Sequence, residues 1–220
     1  MQILPFYLVC DESASMTDNL HILNDALPEL HNEISTNPTI ADKTRFALIG
    51  FSTDADILQP VVDLSEIDSL PALRAGGMTS FGNVFRVLKR AIETDVAALK
   101  GQGHDVYRPV VFFLSDGVPT DTDWKQAYQE LTASPFHPHV IAFGIGDADQ
   151  AIIGEVATVK AFMQKDSSTS PAAALREFAS SLTRSIVRSV SGMSAATGQG
   201  FELQVEDTIP GFTAVSLDKL

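Results

Sequence analysis

Four short stretches of the chain are almost wholly apolar: Ile3 to Cys10, Arg45 to Phe51, Val110 to Leu114 and Val140 to Ile145. Runs of this length without polar alternation fit strands buried on both faces, as in a parallel sheet covered by helices. Between them the apolar period changes to that of a helix. Leu20, Leu23, Leu27, Leu30 and Ile34 share one helical face, and Val84, Val87, Leu88, Ala91, Ile92 and Leu99 share another. A third stripe, Leu175, Phe178, Ala179, Leu182, Ile186 and Val190, is opened by Ser170 as a cap and Pro171 at the first helical position. This alternation predicts an α/β protein with a three-layer, doubly wound, mostly parallel central sheet and helices on both faces.

Secondary features fill in the outline. Ala55 to Val62 alternates less cleanly and contains Pro60, which suits an edge strand, and Ala161 to Met163 is expected as a short last strand. Shorter helices are expected at Trp124 to Leu131 and Ala148 to Val156. Pro28 falls inside the first stripe, where a missing donor and a steric clash predict a kink or a break.

After Val190 the composition turns to Ser191, Gly192, Ser194, Ala195, Ala196, Thr197, Gly198 and Gly200, which reads as a linker. The expected organisation is a globular unit over residues 1–190, then a flexible linker and C-terminal tail over 191–220. In the tail, Phe201, Leu203 and Val205 alternate with polar residues. They either remain without fixed structure or add as a strand to an exposed sheet edge, in cis or on another copy.

Charge changes the functional picture more than the fold. Lys and Arg number 15 against 28 Asp and Glu, a formal net charge of −13 that repels phosphate backbones and anionic bilayers. Neither nucleic acid nor a membrane is expected as a partner. No apolar run is long enough to span a bilayer, and Met1 to Cys10 lacks the basic leader and cleavage site of a signal peptide. With the single cysteine, Cys10, at the end of an apolar run, the reading is a cytoplasmic protein whose thiol is a buried small hydrophobe.

Three segments then place small oxygen-bearing side chains just beyond strand ends, where α/β sheets put their ligand sites. Asp11-Glu12-Ser13-Ala14-Ser15 follows the first strand, and its alternate positions bring Asp11, Ser13 and Ser15 to one side, with Glu12 pointing elsewhere. Gly76-Gly77-Met78-Thr79-Ser80 is a glycine-rich loop presenting Thr79, and Leu114-Ser115-Asp116-Gly117 ends the strongest strand at Asp116. An all-oxygen set selects hard cations over zinc or iron. Helix capping and turn closure are the other roles these residues fill, but they do not require three segments to converge. Glu12, Asp121 and Asp123 read as solvated loop acids or as a rim that tunes partner choice. His137-Pro138-His139 lacks further ligands for zinc and reads as a turn into a strand, Gly144-Ile145-Gly146 as a tight loop, and Trp124 as a packing residue.

On these residues the chain resembles the von Willebrand factor A domains. Asp11, Ser13, Ser15, Thr79 and Asp116 match their metal-ion-dependent adhesion site, and the likeness runs from Ile3 to about Val190. Leu4-Pro5-Phe6-Tyr7-Leu8, Gly77-Met78-Thr79 and Leu114 to Asp121 are similar to the bacterial tellurium-resistance TerY group. The resemblance implies a Mg²⁺ held by Ser13, Ser15 and, in one conformation, Thr79, with Asp11 and Asp116 acting largely through water. One coordination position is left for an Asp or Glu of a protein partner. Neutral hydroxyls leave the ion's charge poorly balanced, so an incoming carboxylate is attracted. Mg²⁺ suits the set best, with Mn²⁺ or Ca²⁺ as substitutes. The expectation is therefore a non-enzymatic, metal-dependent interaction module in a stress-response complex. The alternative is a Mg²⁺-dependent phosphoryl-transfer enzyme with Asp11 as nucleophile, although a second aspartate is missing where Ser13 stands.

Overall fold

Two-sided burial is visible from the first strand. In the computed structural model, which describes residues 1–165, 170–195 and 203–215, β1 (Gln2–Asp11) is buried at every position after the first. Its Leu4, Phe6, Leu8 and Cys10 enter one apolar cluster and its Tyr7 and Val9 the other. The chain continues through α1 (Leu20–Ser35), α2 (Pro38–Ala41), β2 (Thr44–Phe51), β3 (Ala55–Val62) and α3 (Phe81–Gly101). Then come β4 (Asp105–Val106), β5 (Val110–Ser115), α4 (Trp124–Thr132), β6 (His139–Gly144), α5 (Gln150–Val156), β7 (Lys160–Gln164), α6 (Pro171–Ala195) and β8 (Phe212–Val215).

Among the described residues the sheet has eight strands in the order β3-β2-β1-β5-β6-β7-β8, with two-residue β4 beside the start of β1. Pairings from β2 through β7 are parallel; only the edge strands β3 and β8 run antiparallel. Stripes on α1 and α6 cover one face, where Leu23, Leu27, Leu182 and Ile186 meet Phe6 and Leu8. On the other face α3, α4 and α5 supply Phe85, Ile92, Trp124 and Ile153 against Val9 and Phe113. The expected three-layer α/β architecture is thus the observed one.

Three local expectations differ and one is narrowed. Of the kink or break expected at Pro28, the break is absent, and helix α1 runs through it with Leu23, Leu27 and Leu30 all buried around it. Strand β7 is not the last, because β8 pairs with it. The third helix, expected to stop at Val190, runs on to Ala195, so the first residues assigned to a linker are helical. The tail forms its strand at Phe212–Val215 and not at Phe201–Val205; of the latter, Leu203 and Val205 pack against the core outside any strand, while Phe201 lies outside the described residues. Gly211, at φ 80°, makes the turn that brings Phe212 level with Gln164.

Candidate metal centre

The strand order reverses at β1. From there the chain builds outward through β2 and β3, then crosses back to β5 on the other side. The chain leaves β1 toward α1 on one face and leaves β5 toward α4 on the other, so a crevice opens between the carboxyl ends of β1 and β5. Asp11 ends β1 and Ser115 ends β5, which puts both at that crevice.

Four of the five expected site residues meet in one chain of hydrogen bonds. The Ser13 and Ser15 hydroxyl oxygens are 3.0 Å apart, and Ser15 Oγ donates to Asp116 Oδ1 at 2.7 Å. Asp11 Oδ1 accepts from the Ser13 amide at 2.8 Å, and Asp11 Oδ2 accepts from Ser115 Oγ at 2.5 Å. Ser115 Oγ in turn accepts from the Gly117 amide at 3.2 Å, closing the turn after β5. Thr79, also buried, joins this group through Gly117: a β-carbon on Gly117 would lie 3.3 Å from Thr79 Oγ1. The glycine therefore leaves the space into which the Thr79 side chain settles.

The loop that presents Thr79 is tied down by residues whose importance the local sequence does not announce. Glu12 points away from the crevice, as expected, but its carboxylate accepts from the Arg74 amide. Its carbonyl also accepts from the Gly76 amide at 2.7 Å, while the Ala14 amide donates to the Gly77 carbonyl at 3.1 Å. On the other side, the Thr120 amide and hydroxyl both donate to the Thr79 carbonyl, at 2.8 and 2.9 Å. Asp121, expected as a solvated or rim acid, instead caps α3 from forty residues away. It accepts from Ser80 Oγ and from the Phe81 and Gly82 amides at 3.2, 3.0 and 2.6 Å. These are the orphan donors of a helix N-terminus, and a carboxylate there also meets the positive end of the helix dipole. Asp123 remains exposed and pairs with Arg86. The remaining readings follow the sequence: Trp124 packs edge-on against Phe81, and His137 Nδ1 donates to the Ser134 carbonyl just before β6.

The electrostatics of the crevice favour a cation. Burial pushes the Asp11 carboxyl up to about 6, against the hydrogen bonds from Ser115 and Ser13; the nearby charge of Asp116 pushes the same way as burial. Burial also raises Asp116, opposed by the Ser15 hydroxyl and reinforced by the charge of Asp147. Among the described residues neither carboxylate has a Lys, Arg or His ion-pair partner. Two adjacent buried acids without a counter-charge are stabilised by a bound cation.

The donor set of three hydroxyls and two carboxylates is all oxygen, which suits a hard cation. Among the described residues no three His, Cys, Asp or Glu side chains gather as a metal cluster, so hydroxyls are indispensable to any cation site here.

Fold and crevice together define the class: an α/β domain with an oxygen-lined crevice at its switch point. The family model for the von Willebrand factor type A domain matches residues 6–201, and the chain belongs to that family. Solved structures agree at the level of the fold. A von Willebrand factor type A protein from Catenulispora acidiphila superposes with TM-score 0.59 at 17% identity, covering 84% of this chain and 42% of that one. The pilus adhesin SpaC from Lactobacillus rhamnosus GG gives 0.62 at 15%, covering 86% and 30%. The PilB minor pilin of Streptococcus sanguinis gives 0.58 at 14%, covering 88% and 63%. The chain thus spans less than two thirds of each of these proteins, and identities this low speak for the fold alone. No curated protein sequence matches the chain. Among the described residues no helix is long and apolar enough to cross a membrane.

Proposed function

We propose that this domain is a divalent-metal-dependent protein-interaction module, and that Asp11, Ser13, Ser15, Thr79 and Asp116 hold Mg²⁺ for it. The observation that carries this reading is the hydrogen-bonded chain from Asp11 through Ser13 and Ser15 to Asp116. Mg²⁺, when bound, supplies a positive charge that the serine and threonine hydroxyls do not neutralise, so a partner's Asp or Glu is drawn to it as a further ligand. Met78 and Val118 are 58% and 50% exposed, next to Thr79 and two residues after Asp116. They give a docking partner an apolar rim around its polar anchor.

The similarity of the Leu4–Leu8, Gly77–Thr79 and Leu114–Asp121 segments to the tellurium-resistance TerY group extends this proposal to a cytoplasmic stress-response complex. Phosphoryl transfer from Asp11 is disfavoured by the residue spacing. Such a site calls for a second aspartate two residues after the nucleophile, and Ser13 stands there.

Calorimetric titration of Mg²⁺ and Mn²⁺ into wild type and Ser13→Ala tests the metal. We expect one site in the wild type and a loss in the variant of at least about tenfold, the least that mutating even a second-layer partner of a metal ligand typically costs. Equal heats in both proteins refute the site. A pull-down run with Mg²⁺ and again with chelator tests the partner, and retention that ignores the chelator refutes metal-dependent recognition.

A further inference from the structure

At the opposite end of the sheet from Asp11, the segments entering β5 and β6 leave a cavity of about 200 Å³ against the last turns of α3. Val96, Tyr107 and Phe136 give it an apolar wall, and Lys100, Arg108 and His137 line it with basic groups. Arg108 Nη1 donates to His137 Nε2 and, at 3.2 Å, to the His137 carbonyl. His137 Nδ1 meets the Ser134 carbonyl at 3.0 Å. Arg108 thus meets the imidazole and the carbonyl of the same residue, and no carboxylate. Lys100 Nζ stands 4.8 Å from the centre of the Phe136 ring.

Among the described residues neither Lys100 nor Arg108 pairs with a carboxylate. The neighbouring Glu93 accepts from Ser134 Oγ at 3.1 Å. The positive field reaches the strand, where the pKa of His139 is lowered by burial first and then by the Arg108 charge. Strand β5 separates this hollow from the metal centre by roughly 20 Å, the length of six extended residues.

We propose that this hollow is a second site, independent of the metal, that binds a small phosphate monoester carried on an aromatic or apolar body. The Nε–Nη2 edge of Arg108 grips two phosphate oxygens as a fork, Lys100 takes the third, and Tyr107 and Phe136 cover the body. A phosphate monoester carries a third acceptor oxygen and close to twice the charge of a carboxylate, so it gains more from these donors acting together. A cavity this size is below the usual range for larger ligands, about 300 Å³ upward, and suits a compact one.

Titrations of phenyl phosphate, inorganic phosphate and benzoate into the ¹⁵N-labelled full chain test the proposal. We expect saturable amide shifts confined to Val96, Lys100, residues 106–108 and residues 136–137, with phenyl phosphate tightest and benzoate weakest. Arg108→Gln should weaken phenyl phosphate by about tenfold and Lys100→Gln by about threefold, with thermal melting unchanged. Mg²⁺ titration of both variants should match wild type, which separates this site from the metal centre. Non-saturating shifts, shifts spread over the surface, or equal binding by Arg108→Gln and wild type overturn the site. Benzoate binding as tightly as phenyl phosphate overturns the choice of phosphate, and inorganic phosphate doing so overturns the aromatic wall.

Discussion

Burial holds the Asp11 carboxyl up to about 6 where an ordinary aspartate titrates near 3.8. The folded, metal-free protein therefore keeps a proton that the unfolded chain has already released between those two values. Stability must fall as pH rises through that window, because the folded state is then binding more protons than the unfolded one. The total for Asp11 is roughly 3 kcal/mol by pH 7, and the upward shifts of Asp116 and Glu12 act in the same direction. Urea denaturation of the chelated protein should show its midpoint decreasing from pH 4 to pH 7, with the slope reduced in Asp11→Asn. Added Mg²⁺ should restore the wild type at pH 7 and leave Asp11→Asn unmoved. A variant whose pH profile runs parallel to wild type would show that the acid slope arises elsewhere. The same proton competes with the metal, so Mg²⁺ affinity should weaken as pH drops below about 6.

The glycine-rich loop and helix α3 depend on an acid that belongs to neither. Removing the Asp121 carboxylate leaves Ser80 Oγ and the Phe81 and Gly82 amides without their acceptor. Asp121→Ala should cost about 1–2 kcal/mol, the usual range for a lost helix cap, and urea melts will measure it. Because the adjacent Thr120 holds the Thr79 carbonyl, the variant should also weaken Mg²⁺, though less than Ser13→Ala does. Unaltered stability would mean that water replaces the cap at no cost. Asp121 also shows what the sequence leaves unread. Strands β1, β2, β5 and β6 were legible because burial on both faces removes polar residues from consecutive positions. Asp11, Ser13, Ser15 and Asp116 were legible because they follow those strands directly, where the fold class already places ligands. The cap made by Asp121 and the loop anchor made by Glu12 span 40 and 62 residues, and a contact of that range leaves no periodic mark. Two-residue β4 is too short to carry a pattern at all. The tail alternation at Leu203 and Val205 was real, but it records packing against α6 and the core; the strand lies beyond the Gly211 turn.

For the molecule as a whole, residues 203–215 cover the β7 edge with a short new edge strand and clamp α6. The Gln204 amide donates to Ser189 Oγ at 3.0 Å, and Arg184 grips both Glu206 oxygens at 2.9 Å, with Arg188 adding a third contact at 3.3 Å. Lys160 reaches back from β7 to the Glu206 carbonyl at 3.0 Å. Beyond this clamp Ile209 and Phe212 are buried, and Phe212 stands edge-on to Phe143. A chain ending at residue 202 loses these two side chains from the core, worth about 4 kcal/mol at most by area, and exposes the β7 edge. It should therefore unfold at lower urea and self-associate in sedimentation. The clamp itself has a pH signature opposite to that of the Asp11 crevice. Hydrogen bonding to Arg184 holds the Glu206 carboxyl below its usual value, so its contribution is complete above the ordinary carboxylate range and is lost as pH falls through the lowered value. Glu206→Gln should cost about 1–2 kcal/mol at pH 7, as expected for a charged, bidentate hydrogen bond, and progressively less toward pH 3. Asp11→Asn in chelator should gain stability over the same rise in pH that makes Glu206→Gln lose it. Denaturing the two variants side by side at pH 4 and pH 7 therefore separates the crevice from the clamp, and two differences of the same sign would show that one of these assignments is wrong.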